Sequence, residues 1–378
     1  MTRVIVVFGT RPETIKMAPV VLELRRRPGI EVIVCVSGQH RTMLDEALAA
    51  FGISPEHDLA IMRSGQTLAD ITADVLGRLS PLLAKLKPDR VIVHGDTTTT
   101  FAAALAAFYL GIPVGHVEAG LRTGNMRAPW PEEFNRRSVD MVADLLWAPT
   151  ESAADNLRRE GVPHDNIVVT GNTAVDAIAS VKSRLDNDAV LRDVVWRRLP
   201  RLQQDKRLVL VTGHRRESFG DGMAEVCRAL NRLATRCDIE IVWPVHPNPN
   251  VVGAIKQHLK ANSNIQLVEP VDYLGFTALM LRSYIIITDS GGIQEEAPTL
   301  GKPVLVTRNE TERPEAITAG TARLVGPSED RIVAAATELL DDDLSYRRLA
   351  ERDNPFGDGK AAVRIADSLF ARHARTRT

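Results

Sequence analysis

Hydrophobic residues along this chain come in short unbroken runs, and the stretches between them place apolar side chains at helical spacing. Val4–Phe8, Val32–Val36, Val91–Val93, Val114–Val117, Leu145–Trp147 and Val168–Thr170 read as buried strands. Pro12–Arg26, Leu68–Leu86 and Thr100–Tyr109 read as helices. Strands without polar alternation, separated by helices, imply a parallel sheet covered on both faces. The pattern then restarts with Leu208–Val211, Glu240–Trp243, Gln266–Val268, Ile285–Thr288, Val304–Val306 and Arg323–Val325, with helices at about Gly222–Arg236 and Gln294–Leu300. The fold class expected is therefore α/β, with two doubly wound domains in tandem. The break is placed at Thr170–Thr173, where a strand runs into Thr-Gly-Asn-Thr; the loop Pro200–Asp205 is the second choice. Lys360–Arg372 reads as a helix that returns to the first domain. The expected division is 1–170, 171–361, and a closing helix 362–378 on the first domain.

Composition narrows the class. A chain of 378 residues suits about two domains of roughly 100–200 residues. With 44% apolar residues there is material for two cores. The balance of 47 basic against 48 acidic residues lacks the basic excess of a nucleic-acid binder, while leaving room for local anion-binding patches. Cys35, Cys227 and Cys237 form no CxxC pair and are odd in number, which argues against a disulfide framework or a zinc site. The start MTRVIVVFGTRPE has only a short apolar run, where a signal peptide needs about 7–15 residues. No stretch approaches the ~20 apolar residues of a membrane span. The expectation is a cytoplasmic protein with no nucleic-acid or membrane partner and no metal.

Ligands of open α/β sheets bind beyond the carboxyl ends of the strands, so the residues that follow the strands are the candidates. GTRPETIK opens with Thr10 as an N-cap and Glu13 completing a capping box, and it brings Arg11 and Lys16 to a helix start that favours anions. A capped surface helix explains the same residues equally well. In HGDTTTT, Asp96 or Thr97 serves as an N-cap, or Asp96 as a catalytic carboxylate. Glu118 ends a strand and opens EAGLRTGNMRAPWPEEFNRR, which Gly120, Gly124, Pro129 and Pro131 keep from being one helix. Favourable placement at a helix N-terminus accounts for Glu132 and Glu133, but not for Glu118. His214 and His246 each follow a strand without a second ligand at metal spacing. In TDSGGIQEEAPTLGKP, Gly291 and Gly292 permit close backbone approach at a helix start, with Glu295 or Glu296 one turn on. That combination favours a nucleotide phosphate and ribose. Neither a P-loop nor a GxGxxG fingerprint is present.

GTRPETIK, GDTTTT, VEAGLRTGN, PEEFNRR, TGHRRE, VHPNPN, DSGGIQEEAPTLGKPVLV and TERPEA, in this order, resemble the non-hydrolysing UDP-N-acetylglucosamine 2-epimerase family across essentially the whole chain. The resemblance implies two Rossmann-like domains in a GT-B-like arrangement, with the active site in the interdomain cleft and no cofactor. It implies interconversion of UDP-N-acetylglucosamine and UDP-N-acetylmannosamine by elimination and re-addition of UDP. By motif match, Asp96, Glu118 and Glu132 are the acid–base candidates, and His214 resembles an active-site histidine near the diphosphate. Arg11, Lys16, Val271, Phe276, Ser290, Gly291, Gly292, Glu296 and Arg313 match positions that bind UDP or the sugar. Ser290–Gly292 would serve the phosphates, Glu296 the ribose, and Phe276 and the Val271 backbone the uracil. Gln39 and His246 resemble parts of a second site where some bacterial members take UDP-N-acetylglucosamine as an activator. Thr42 and Gly65 depart from the polar or basic residues of some activated members. A homodimer is common in the family. The alternatives are a hydrolysing epimerase that releases UDP and N-acetylmannosamine, a GT-B glycosyltransferase, and a nucleotide-sugar sensor.

Overall fold

The computed structural model describes residues 1–38, 41–213 and 220–375, with side chains except those of residues 41–42 and 372–375. Packing divides the chain into two units, Met1–Ala177 with Phe356–Thr378, and Ile178–Pro355. The division falls inside the helix Thr173–Asn187, just beyond the break expected at 170/171. The closing segment accounts for this. The Asn172 N–H donates to the Phe356 carbonyl at 2.7 Å. Asp176 accepts from the Ala361 and Ala362 N–H groups, at the start of the helix Ala361–Arg375.

The first unit holds a parallel sheet of β1 (Thr2–Phe8), β2 (Ile30–Val36), β3 (His57–Asp58), β4 (Arg90–His94), β5 (Val114–Val117), β6 (Leu145–Ala148) and β7 (Ile167–Val169), in the order β3-β2-β1-β4-β5-β6-β7. Ile5, Val7, Cys35, Val91 and Val93 pack with Val75, Leu79 and Leu83 of the helix Leu68–Leu86 and with the alanines of the helix Thr98–Tyr109. Direction reverses at β1/β4. Right-handed crossovers therefore put the helix Arg11–Arg26, which follows β1, on the other face. It packs there beside the closing helix, whose Ser368 hydroxyl accepts from the Trp147 indole N–H at 2.7 Å. β3 was not anticipated, because two polar residues form no hydrophobic run. β7 begins one residue earlier than Val168–Thr170 suggested.

The second unit repeats the plan. Its strands are β8 (Arg207–Thr212), β9 (Ile239–Pro244), β10 (Ile265–Val268), β11 (Ser283–Thr288), β12 (Val304–Val306) and β13 (Ala322–Leu324), all parallel and ordered β10-β9-β8-β11-β12-β13. β13 also starts one residue earlier than expected. The helix expected at Gly222–Arg236 spans Asp221–Leu233 and ends in a turn. Its Met223, Cys227 and Leu230 join Val209, Val211, Ile241 and Trp243 in one core. Both sheets reverse direction between their first and fourth strands, so each has a switch point at its carboxyl edge where ligands bind. These points are β1/β4 and β8/β11. Among the described residues no helix is long and apolar enough to cross a membrane.

Candidate active site

At β1/β4, Glu13 ties the two loops together. Its side chain is buried. Oε2 accepts from the N–H groups of Gly9 (3.0 Å) and Thr10 (2.8 Å), and Oε1 from the hydroxyls of Thr97 (2.7 Å) and Thr100 (2.9 Å). Burial pushes this carboxyl up, and the four donors pull it partly back. Thr97, not Asp96, is the N-cap of the helix Thr98–Tyr109, accepting from the Thr100 N–H. Asp96 is thereby left to other chemistry. Its carboxylate pairs with Arg136, and its backbone carbonyl accepts from Asn135 Nδ2 at 2.9 Å. Burial raises the Asp96 carboxyl, Arg136 opposes that rise, Glu118 adds to it and Lys16 opposes it.

Glu118 follows β5 with a backbone φ of 66°. This left-handed conformation costs a non-glycine residue about 1–3 kcal/mol and is concentrated at functional sites. The twist turns the carboxylate into the switch point. Oε1 pairs with Lys16, from the helix after β1, and accepts from Asn172 Nδ2 at 3.2 Å. Oε2 lies 3.6 Å from His94 Nε2. Gly95 has a φ of +64°, and a Cβ there would stand 3.5 Å from the same oxygen, so the chain passes close beneath the carboxylate. Lys16 and Glu118 are 102 positions apart in the chain, yet β1, β4 and β5 bring them to one place.

The stretch after Glu118 is anchored rather than loose. The Gly120 N–H donates to Asp140 at 3.2 Å, and Arg122 bridges Asp140 and Glu160. A Cβ on Gly120 would meet the Ala153 carbonyl at 2.3 Å. Thr123 donates its N–H to Glu133 at 3.1 Å and its hydroxyl to the Ala128 carbonyl at 2.6 Å. The helix Glu132–Val142 begins here. Glu132 heads it, with one carboxylate oxygen buried and without a hydrogen-bond partner among the described residues. One turn on, Asn135 and Arg136 hold Asp96. The glycines and prolines thus serve to carry acids and an arginine back toward the strand ends. His94, Asn135, Arg136 and Asn172 were not among the site residues expected from sequence. Only their places just after or within HGDTTTT, PEEFNRR and the strand-end TGNT hinted at them.

The second unit's switch point gathers residues of the β11 loop. The Ser290 N–H donates to Thr288 Oγ1 at 2.9 Å, and the Thr288 and Thr212 hydroxyls bond at 2.6 Å. Gly291 and Gly292 open the short helix Gly291–Glu296. Glu295 pairs with Arg313, Gln294 accepts from the Thr311 hydroxyl at 2.7 Å, and Glu296 accepts from the Tyr273 hydroxyl at 3.2 Å. Phe276 lies half-buried in the helix Tyr273–Arg282, and Val271 half-buried just ahead of it. His246 is exposed, with Nδ1 accepting from the Asn248 N–H at 3.2 Å. Gly65 is exposed with a φ of +73°. Arg11 is half-buried at the start of its helix. His214, Gln39 and the Thr42 side chain lie outside the described residues.

Fold and sites together define a Rossmann-like α/β protein with two parallel-sheet units, a carboxylate cluster at one switch point and a glycine-opened helix at the other. Residues 22–370 match the family described as UDP-N-acetylglucosamine 2-epimerase. The UDP-N-acetylglucosamine 2-epimerase of Escherichia coli (strain K12) is 52% identical over 368 residues, 97% of this chain and 98% of that protein. The enzyme of Bacillus subtilis (strain 168) is 49% identical over 369 residues, 97% of this chain and 95% of that protein. The crystal structure of UDP-GlcNAc 2-epimerase from Neisseria meningitidis bound to UDP-GlcNAc superposes with a TM-score of 0.91 at 46% identity, covering 98% of this chain and 100% of that one. The chain belongs to the UDP-N-acetylglucosamine 2-epimerase family.

Proposed function

We propose that this chain is a non-hydrolysing epimerase that interconverts UDP-N-acetylglucosamine and UDP-N-acetylmannosamine at C2. The route is anti elimination of UDP to 2-acetamidoglucal, return of a proton to the other face of C2, and re-addition of UDP. No carbonyl acidifies the C2 proton, so departure of UDP accompanies or precedes deprotonation through an oxocarbenium-like state. The observation that carries this reading is the carboxylate cluster at β1/β4. Glu118 is held in a left-handed backbone against Lys16 and Asn172, within electrostatic reach of Asp96. A carboxyl raised by its surroundings, as at Asp96, sits closer to working pH, where proton transfer is most effective. Asp96, Glu118 and Glu132 handle the proton on the two faces, and their roles exchange in the reverse direction.

Cations and N–H donors stabilise the charge that develops on the departing diphosphate. Arg11, Lys16, His214 and Arg313 supply the first, and the backbone of Ser290, Gly291 and Gly292 the second. Glu296 binds the ribose, and Phe276 with the Val271 backbone borders the uracil. The Neisseria relative was solved with UDP-GlcNAc bound, which supports the ligand class. The reading further includes a cytoplasmic homodimer and a second UDP-N-acetylglucosamine at Gln39 and His246 as activator. Proton NMR of the protein with UDP-N-acetylglucosamine in heavy water tests it. UDP-N-acetylmannosamine with deuterium at C2 is the expected product. Free N-acetylmannosamine would instead establish the hydrolysing reaction, and an unchanged spectrum, with and without added activator, would overturn the epimerase reading.

A further inference from the structure

His94 closes β4 and has no part in the chemistry above. Its side chain is 5% exposed, and neither ring nitrogen has a hydrogen-bond partner among the described residues. Buried polar groups are nearly always paired, because leaving one unpaired is costly. The neighbouring strand offers a contrast. His116 on β5 has Nδ1 2.6 Å from Asp140 and Nε2 2.8 Å from the Gly95 carbonyl, so both of its nitrogens are committed to the fold. His94 instead directs Nε2 toward Glu118 Oε2 at 3.6 Å, just beyond hydrogen-bond range. Burial pushes its ring down to about 4, so at neutral pH it is uncharged and one nitrogen is an acceptor. With the ring hydrogen on Nδ1, Nε2 is that acceptor, and at 3.6 Å it makes no hydrogen bond to the carboxylate oxygen.

Resting on the epimerase reading, we infer that His94 is a positioning residue for the protonated form of Glu118. When Glu118 takes the C2 proton onto Oε2, the new hydroxyl turns to Nε2 and closes the gap to a hydrogen bond. The proton stays on Glu118, and the ring remains neutral throughout. Because the bond exists only after proton transfer, it favours the deprotonated sugar over the bound substrate, which raises kcat and leaves substrate affinity alone. It also turns the captured proton away from the face it left.

The test compares His94→Phe with His94→Gln, using UDP-N-acetylglucosamine in heavy water and measuring kcat, KM and UDP affinity. Phenylalanine keeps the ring without an acceptor, whereas glutamine supplies a carbonyl acceptor. His94→Phe should lower kcat by about tenfold or more, with KM and UDP affinity within about twofold, and His94→Gln should recover most of the loss. Equal kcat in the two variants, or losses of UDP affinity in step with kcat, would overturn the inference. If the phenylalanine variant does not fold, His94→Met carries the same comparison. An inactive wild type strikes the epimerase reading itself, while an active wild type matched by His94→Phe strikes only His94.

Discussion

Glu118→Gln keeps the side-chain volume and the left-handed backbone while removing one negative charge. The ion pair it disturbs is nearly enclosed, with side chains 10% and 12% exposed for Glu118 and Lys16. At about 3 Å and an effective dielectric of ~20, the gross attraction is about 5 kcal/mol. Most of that is offset by the desolvation both ions already bear. The amide oxygen still accepts from Lys16 and Asn172, so the folded state should lose only about 1–2 kcal/mol. The reaction loses more, because the amide cannot take a proton. An acid–base contribution of about 10²–10⁴-fold disappears, or about 3–5.5 kcal/mol of barrier. UDP makes its proposed contacts largely through other residues, so its affinity should change little. Initial rates of deuterium entry at C2 by NMR, with UDP affinity by calorimetry, separate the two effects. A kcat within about threefold of wild type would refute the role of this carboxylate, being far smaller than any acid–base contribution.

Three further outcomes follow from the same switch point. Glu13→Ala leaves the Gly9 and Thr10 N–H groups without their acceptor and should cost about 2–4 kcal/mol in chemical denaturation, whereas Glu13→Gln keeps an acceptor and should cost less. Burial raises the Glu13 carboxyl, so the folded chain holds a proton more tightly than the unfolded one. Its contribution is fullest below the unfolded carboxyl range and falls as pH rises through the folded value. Acidification from neutrality toward pH ~5 should therefore shift stability in favour of wild type over Glu13→Gln, and a shift the other way would contradict the burial account. Arg136 is the largest influence opposing the burial-driven rise of Asp96. In Arg136→Leu the Asp96 carboxyl should keep its proton to higher pH, moving upward the limb of the pH–rate profile it governs. A profile coincident with wild type would dissociate Asp96 from the rate.

The periodicity of the chain by itself determined the element types and most of their places. Runs such as Val4–Phe8 and Ile285–Thr288 are buried on both faces of parallel sheets, and only a strand in that setting needs every position apolar. Strand-end chemistry was legible for the same reason. Glu118 follows a hydrophobic run directly, Asp96 and Ser290 come just after strand ends, and the carboxyl edge is where such folds bind ligands. The eight motifs in order then carried the family. What the sequence left undecided depends on strand order and on backbone angles, neither of which hydrophobic spacing encodes. Only the order β1-β4-β5-β6-β7 brings Lys16, His94 and Glu118 together and lets Asn172, just beyond β7, reach the same carboxylate. Only the tertiary structure showed Glu118 in a left-handed conformation and Thr97, rather than Asp96, capping a helix. It also set apart two buried histidines on adjacent strands, His116 held by acceptors at both nitrogens and His94 turned toward Glu118. Polar β3 escaped notice because its pairing with β2 comes from its neighbours and not from any apolar run of its own.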